Sequence, residues 1–225
     1  MKVVEIFTSI DGEGVRAGEL TTFIRLYGCN LHCSYCDTRY ACEQTEENLP
    51  YNEMAIEDIV EQCKKECTRN ITLTGGEPLI HKDTKYLLRA LSDEGFDVNV
   101  ETNGSVDIKN FMFSNVWFTV DYKCNTSGMS NKMCKSNFEN SDNNVVYKFV
   151  VGSIKDLEQA KEIIDNILDS NSSARAIYLS PVFGDIEPAE IVDFMYNNNL
   201  FDSYTPIRVQ LQLHKYIWNP KMRGV

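Results

Sequence analysis

Two hydrophobic rhythms alternate along the chain. Short runs rich in β-branched and aromatic residues predict strands at 3–7, 21–27, 71–74, 98–100, 116–120, 145–151, 176–179 and 207–213. Between them, apolar residues recur at helical spacing. Ile56, Ile59, Val60 and Cys63 mark a helix over 54–67, with Glu57 and Asp58 in its first turn, where the helix dipole favours acids. Leu87, Leu88 and Leu91 mark another over 85–94, closed by Gly95. Leu157, Ala160, Ile163, Ile164 and Ile167 mark a third over 155–168, and Pro188 opens a fourth over 188–196. Strands alternating with helices about six times imply βα units on a parallel sheet. The expected fold is α/β, a partial (β/α)6-type barrel, because a closed eightfold barrel needs more chain. The 3–7 strand is expected at a sheet edge. Nothing breaks the pattern into two units, so residues 1–225 are expected to form a single domain.

The remainder reads as connections. Residues 42–53 and 197–199 are polar loops, and the Ser/Asn/Lys-rich 124–143 stretch reads as a loop or lid. Its Cys124 and Cys134 are too widely spaced for a cluster site. Cys63 and Cys67, four apart, read as helix packing.

Composition narrows the partners. A net charge of −11 argues against a sequence-independent duplex nucleic-acid binder, which needs Lys and Arg to displace counterions. No apolar run has the length of a membrane span, and the first residues read as a strand and not as a leader. Eight cysteines without a secretion signal suggest a reducing cytoplasm.

The candidate chemistry starts at Cys29, Cys33 and Cys36, spaced C-x3-C-x2-C in a tight loop after the second strand. A cubane iron–sulfur cluster normally takes four thiolates. Three would leave one iron open to a ligand. A zinc site or three packed thiols would use the same residues, but zinc takes a further ligand pair and none is clearly spaced for it. Arg25, inside an apolar strand, must be ion-paired or face a cavity. The glycines of Ile10-Asp11-Gly12-Glu13-Gly14 and of Thr74-Gly75-Gly76-Glu77-Pro78 allow a turn or a close backbone approach. Glu101-Thr102-Asn103-Gly104 and Asp121-Tyr122-Lys123 place polar groups at strand ends, where α/β proteins bind ligands.

The cysteine loop, with Tyr35 before its last cysteine, resembles the signature of the radical S-adenosylmethionine (SAM) superfamily. That resemblance implies a [4Fe–4S] cluster on Cys29, Cys33 and Cys36, with SAM on the open iron. Reductive cleavage of SAM would then give a 5′-deoxyadenosyl radical that abstracts hydrogen from the substrate. The Gly-Gly-Glu segment resembles the one whose backbone meets SAM's amino group. Over nearly the whole chain, the Gly-Glu-Gly turn, Arg25, Cys-Asp-Thr, Thr-Gly-Gly-Glu-Pro, Glu-Thr-Asn-Gly and a terminal Gln-x-His-Lys resemble the 7-carboxy-7-deazaguanine synthase family. By position, that family implies SAM contacts at Tyr35, Asp37, Gly75, Gly76, Glu77, Glu101, Asp121, Lys123 and Ser180. It implies a magnesium contact at Thr38. It implies a base pocket of Ile10, Asp11, Gly12, Glu13, Arg25, Thr74 and the carboxylate of Val225. A flavodoxin- or ferredoxin-type reductant and a homodimer are also implied.

Two positions depart from the family pattern. Asp11 stands where glutamine is usual, and Ser180-Pro181 where Gln-Pro is usual. An ionised Asp only accepts hydrogen bonds, whereas glutamine also donates. The chain resembles a clostridial branch similar to queuine lyase, in which Asp11 would accept from the substrate's ammonium or diol. The first expectation is therefore a lyase releasing 7-aminomethyl-7-deazaguanine from queuine. The alternative is 7-carboxy-7-deazaguanine synthase, contracting the ring of 6-carboxy-5,6,7,8-tetrahydropterin. More remote are a radical SAM activase of a partner protein and a plain iron–sulfur carrier.

Overall fold

The computed structural model describes residues 1–42, 51–139, 143–169, 174–201, 205–220 and 222–225. Its strands are β1 (Lys2–Ile10), β2 (Leu20–Leu26), β3 (Asn52–Glu53), β4 (Asn70–Gly75), β5 (Asp97–Thr102), β6 (Val116–Lys123), β7 (Val145–Val151), β8 (Ala176–Pro181) and β9 (Ile207–Val209). They form one sheet in the order β3-β1-β2-β4-β5-β6-β7-β8-β9. From β2 through β4 to β9 every pairing is parallel, while β1 runs antiparallel to both β2 and β3. The sheet is α/β architecture without closure, as the chain length implied.

The helices are α1 (Ile56–Lys65), α2 (Thr84–Asp93), α3 (Ser136–Glu139), α4 (Ile154–Asp169), α5 (Pro188–Asn197) and α6 (His214–Ile217). Each long helix buries the stripe its spacing predicts: Ile59, Val60 and Cys63 on α1, Leu87, Leu88 and Leu91 on α2, Leu157, Ala160, Ile164 and Ile167 on α4. Cys63 is core. Cys67 lies beyond the end of α1 and is exposed, so the two do not share a helix face. Among the described residues no helix is long and apolar enough to cross a membrane.

Four expectations are corrected. β1 is not the edge strand, because Asn52 and Glu53, which read as loop, pair with Val3 and Lys2 outside it. Residues 43–50 of that expected loop lie outside the described residues. Between β5 and β6 there is only a 3-10 turn, Ile108–Phe111, so helix alternation lapses once. The 124–143 stretch is not a free lid. It holds two 3-10 turns and α3, and it docks on the cysteine loop through Ser34 N to Ser127 O at 3.1 Å and Ser34 Oγ to Thr126 O at 2.7 Å. Finally, β9 ends at Val209 and not at Leu213. The reason is side-chain chemistry. Gln210 accepts from Gly14 N at 2.8 Å, and Leu213 N donates to Gly12 O at 3.0 Å. The segment after β9 therefore leaves the ladder and stitches the open side of the sheet to the β1–β2 turn.

From the same β1–β2 turn, Arg16 plugs the interior at the amino ends of the parallel strands. It is 6% exposed, donates to Asp97 O at 3.1 Å and Ile71 O at 2.9 Å, and stacks 5.0 Å from the Trp117 ring. Its Nε lies 3.9 Å from Asp11 Oδ2. Removing one partner of a buried charge strands the other. Arg16→Met is expected to cost about 3 kcal/mol, read as a lower urea midpoint at unchanged slope. An unchanged midpoint would refute the plug.

Candidate active site

The cysteine loop follows β2 directly, and the loops after β4, β5, β6 and β8 meet it at the carboxyl ends of the parallel strands. This is where a β/α sheet opens to ligands, because the helices cover its faces and leave the loop end free. The result is a cleft of about 670 Å³. Lining it are Cys29, Cys33, Cys36, Tyr35, Asp37 and Thr38 from the cysteine loop, and Ile10, Asp11, Gly12 and Glu13 from the β1–β2 turn. Arg25, Thr74, Gly75, Gly76, Glu101, Asp121, Lys123, Ser180 and Val225 also line it. Every residue given a cluster, SAM, magnesium or base contact in the sequence is thus brought to one cleft except Glu77.

Glu77 is fully buried outside the cleft. Its carboxylate accepts from Leu79 N at 2.9 Å, Thr102 Oγ1 at 2.8 Å and Asn103 N at 2.6 Å. Burial pushes its carboxyl up to about 7, against the pull of those donors. Glu77 is therefore a brace between the ends of β4 and β5. It holds Asn103, whose Nδ2 in turn reaches Cys29 Sγ at 3.6 Å.

The glycines also serve the fold before any ligand. A Cβ on Gly76 would lie 2.3 Å from Gly28 O and 2.9 Å from Cys29 Cβ, and one on Gly75, at φ +145°, only 2.2 Å from Leu26 O. The backbone after β4 thus packs directly on the backbone that leads into the cysteine loop. Gly12 is similarly closed over by the His214 ring.

At the cysteines, Leu31 N donates to Cys29 Sγ at 3.4 Å. The neighbouring Cys42 thiol, also at the cleft, is the main cause that lowers Cys29 and Cys36 to about 6, against burial. Burial raises Cys33. Among the described residues no three His, Cys, Asp or Glu side chains converge on a single metal ion, as a zinc site requires. A cubane asks less, since it presents different irons to different cysteines. The Tyr35 hydroxyl, buried beside the loop, has no hydrogen-bond partner among the described residues. Three thiols on one loop, donors aimed at a sulfur and an orphaned hydroxyl fit a cluster with a bound cofactor.

Deeper in the cleft the charges interlock. Lys148 of β7 is buried, 2.8 Å from Glu13 Oε2 and 3.0 Å from Asp121 Oδ1. Lys123 holds Asp121 Oδ2 at 2.7 Å. Gln210 and Gln212 donate to Glu13 at 3.0 Å and 2.5 Å. Burial alone would raise Glu13, but Lys148 and Gln212 outweigh it and hold the carboxyl below its usual range. Lys123 and Lys148 do the same for Asp121. Glu101 accepts from Thr74 Oγ1 at 3.1 Å, and burial pushes it up to about 7. Burial also raises Asp11, more than Arg16 and Thr72 lower it.

Two expected base-pocket residues are partly committed. Asp11 takes Thr72 Oγ1 at 3.1 Å beside Arg16, so its carboxylate is tied to the interior plug. Arg25 spends its Nε on Glu5 at 2.7 Å, and Glu5 also takes Tyr40 Oη at 3.0 Å. Asp37 is paired with Lys215 at 3.3 Å and accepts from Thr38 Oγ1 at 2.8 Å. Lys148, Gln210, Gln212 and His214 line or frame the site without having been assigned a role from the sequence. Lys148 carried a legible signal, a cation inside an apolar strand, the same rule that marked Arg25.

Known proteins resemble the chain as follows. The family described as the Radical SAM superfamily matches residues 23–195. A 7-carboxy-7-deazaguanine synthase from Clostridium acetobutylicum is 48% identical over 227 residues, 100% of this chain and 99% of that protein. One from Methanospirillum hungatei is 38% identical over 222 residues, covering 98% of this chain and 86% of its own. The crystal structure of QueE from Escherichia coli matches with a TM-score of 0.72 at 25% identity, over 95% of this chain and 94% of that one.

Two substitutions test the division of labour. Cys33→Ala should abolish bound iron after anaerobic reconstitution while thermal unfolding of the unreconstituted protein is unchanged; full iron retention would displace the cysteine loop from its role. Glu77→Gln should keep the iron but lose about 2 kcal/mol of stability, because an amide nitrogen must then face a donor. Loss of SAM affinity without loss of stability would return Glu77 to the cofactor.

Proposed function

The chain belongs to the radical SAM superfamily, and from that premise we propose that it acts as a 7-carboxy-7-deazaguanine synthase on 6-carboxy-5,6,7,8-tetrahydropterin. The observation that carries the reading is the full-length likeness to the Clostridium acetobutylicum synthase, 48% identical over 227 residues. These relatives are named synthases, so the ring-contraction alternative takes precedence over the queuine lyase first expected. The residue that motivated the lyase, Asp11, is held by Thr72 and Arg16, which weakens its case as a free acceptor.

The cluster and SAM supply the hydrogen-abstracting radical when bound. Cys29, Cys33 and Cys36 would hold the cluster. Tyr35, Asp37, Gly75, Gly76, Glu101, Asp121, Lys123 and Ser180 would line SAM. Glu13, kept ionised by Lys148, offers the acceptor that the amino and ring N–H groups of a guanine-like edge require. Ile10, Gly12, Arg25, Thr74 and Val225 would complete the base pocket. Arg25 spends its Nε on Glu5 and lines the cleft, where a guanidinium suits an anionic substituent. Thr38 is the candidate magnesium contact, its hydroxyl oriented by Asp37. A one-electron reductant of flavodoxin or ferredoxin type is required by the chemistry.

Reconstituted protein with SAM and reductant should convert the tetrahydropterin to 7-carboxy-7-deazaguanine and leave queuine intact, read by mass. Release of 7-aminomethyl-7-deazaguanine from queuine alone would overturn the synthase reading. A pH profile tests Glu101. Burial raises its carboxyl to about 7, so it is largely protonated below that pH and an ionised acceptor above it. If it accepts from SAM, affinity should rise between about pH 6 and 8, and Glu101→Gln should flatten the profile. An unchanged slope in the variant would remove Glu101 from the SAM contacts.

A further inference from the structure

We propose that Lys148 is a positioning residue that links the base-facing carboxylate of Glu13 to the cofactor-facing carboxylate of Asp121, so that a change at one is felt at the other. The roles of the two carboxylates rest on the functional reading above; the link rests on geometry. Lys148 rises from the middle of β7, whose other residues are apolar, and its side chain is 10% exposed. A buried ammonium at such a position must be paired.

The sharing is unequal. Lys148 Nζ makes an aligned hydrogen bond to Glu13 Oε2 at 2.8 Å. Its 3.0 Å approach to Asp121 Oδ1 is an ion pair without that alignment, and among the described residues the buried Oδ1 has no aligned hydrogen-bond donor. The other Asp121 oxygen is filled by Lys123 at 2.7 Å. Glu13 is the opposite case, with Lys148 and Gln210 on one oxygen and Gln212 on the other. So Asp121 carries Lys123 on one oxygen and only the off-axis ammonium beside the other, while Glu13 draws the aligned hydrogen bond of that ammonium to itself. Charges this close in a buried site interact strongly. Neutralising Glu13 would release the ammonium to turn onto Asp121 Oδ1 and draw the charge of that carboxylate away from the cleft. SAM should then bind more weakly, although Glu13 itself faces the base pocket.

A double-mutant cycle on SAM affinity tests this in the cluster-loaded protein, with no base present. Glu13→Gln should weaken SAM by about fivefold or more, the lower range of site-to-site coupling. In a Lys148→Met background the same Glu13→Gln change should alter affinity by less than about twofold, the tolerance of additivity. Lys148→Gln runs the same cycle should the methionine variant not fold. An equal Glu13→Gln effect in both backgrounds overturns the link, as does no effect in the wild type. A merely structural Lys148 would lower thermal stability and leave the two effects additive. Because the cycle reads SAM binding alone, failure of pterin turnover would sink the functional reading without touching it, and an additive cycle would sink the link without touching turnover.

Discussion

A single buried ammonium joins parts of the chain that are far apart in sequence. Lys148 on β7 reaches Glu13 in the β1–β2 turn and Asp121 on β6, and Glu13 in turn gathers Gln210 and Gln212 from beyond β9. None of these charges is tolerable there alone, since an unpaired buried ion costs several kcal/mol. Together they satisfy one another. The open side of the sheet, where no strand ladder runs, is therefore closed by side chains and, among the described residues, by the backbone bond from Leu213 N to Gly12 O. The cleft's floor and the closure of the fold are the same set of interactions.

A second constraint is steric. Gly75 and Gly76 let the end of β4 pack on the backbone of Leu26 and Gly28 with no room for a Cβ. That contact sets the height of the cysteine loop relative to Glu101, Asp121 and Lys123. Glu77 then locks the arrangement from below by accepting three donors, two of them from the end of β5. The Gly-Gly-Glu segment is thus first a joint between two loops, and any ligand meets a wall already built. The docking of Ser34 on Thr126 and Ser127 fixes the loop from its other side.

Polar residues in the interior are graded by what they face. Arg16 and Asp11 sit where the strands begin and are consumed by backbone carbonyls, Thr72 and each other. Glu101, Asp121 and Lys123 sit where the strands end and keep part of their capacity for the cleft, and Glu13 reaches the same cleft from the β1–β2 turn. The same residue types serve structure at one end of the sheet and chemistry at the other, and depth along the strand separates the roles.

The parallel βα sheet, the burial stripes of α1, α2 and α4, the cysteine loop and about half of the cleft's lining were legible in the sequence. Hydrophobic period and motif spacing are local properties, and a β/α sheet carries the ends of its strands to one place by construction. Position along the sheet and partner choice were not legible. The sequence could not show that Asn52 and Glu53 cap β1, because a two-residue strand has no period. It could not show that β9 stops at Val209, because Gln210 and Gln212 are drawn away by a turn some two hundred residues earlier. It placed Glu77 among the ligands and left Lys148 unassigned, because which carboxylate braces and which cation bridges depends on burial and on neighbours contributed by other strands. Local pattern determined the frame and the candidate chemistry, and long-range packing alone decided which of those groups face the cleft and which are spent holding it together.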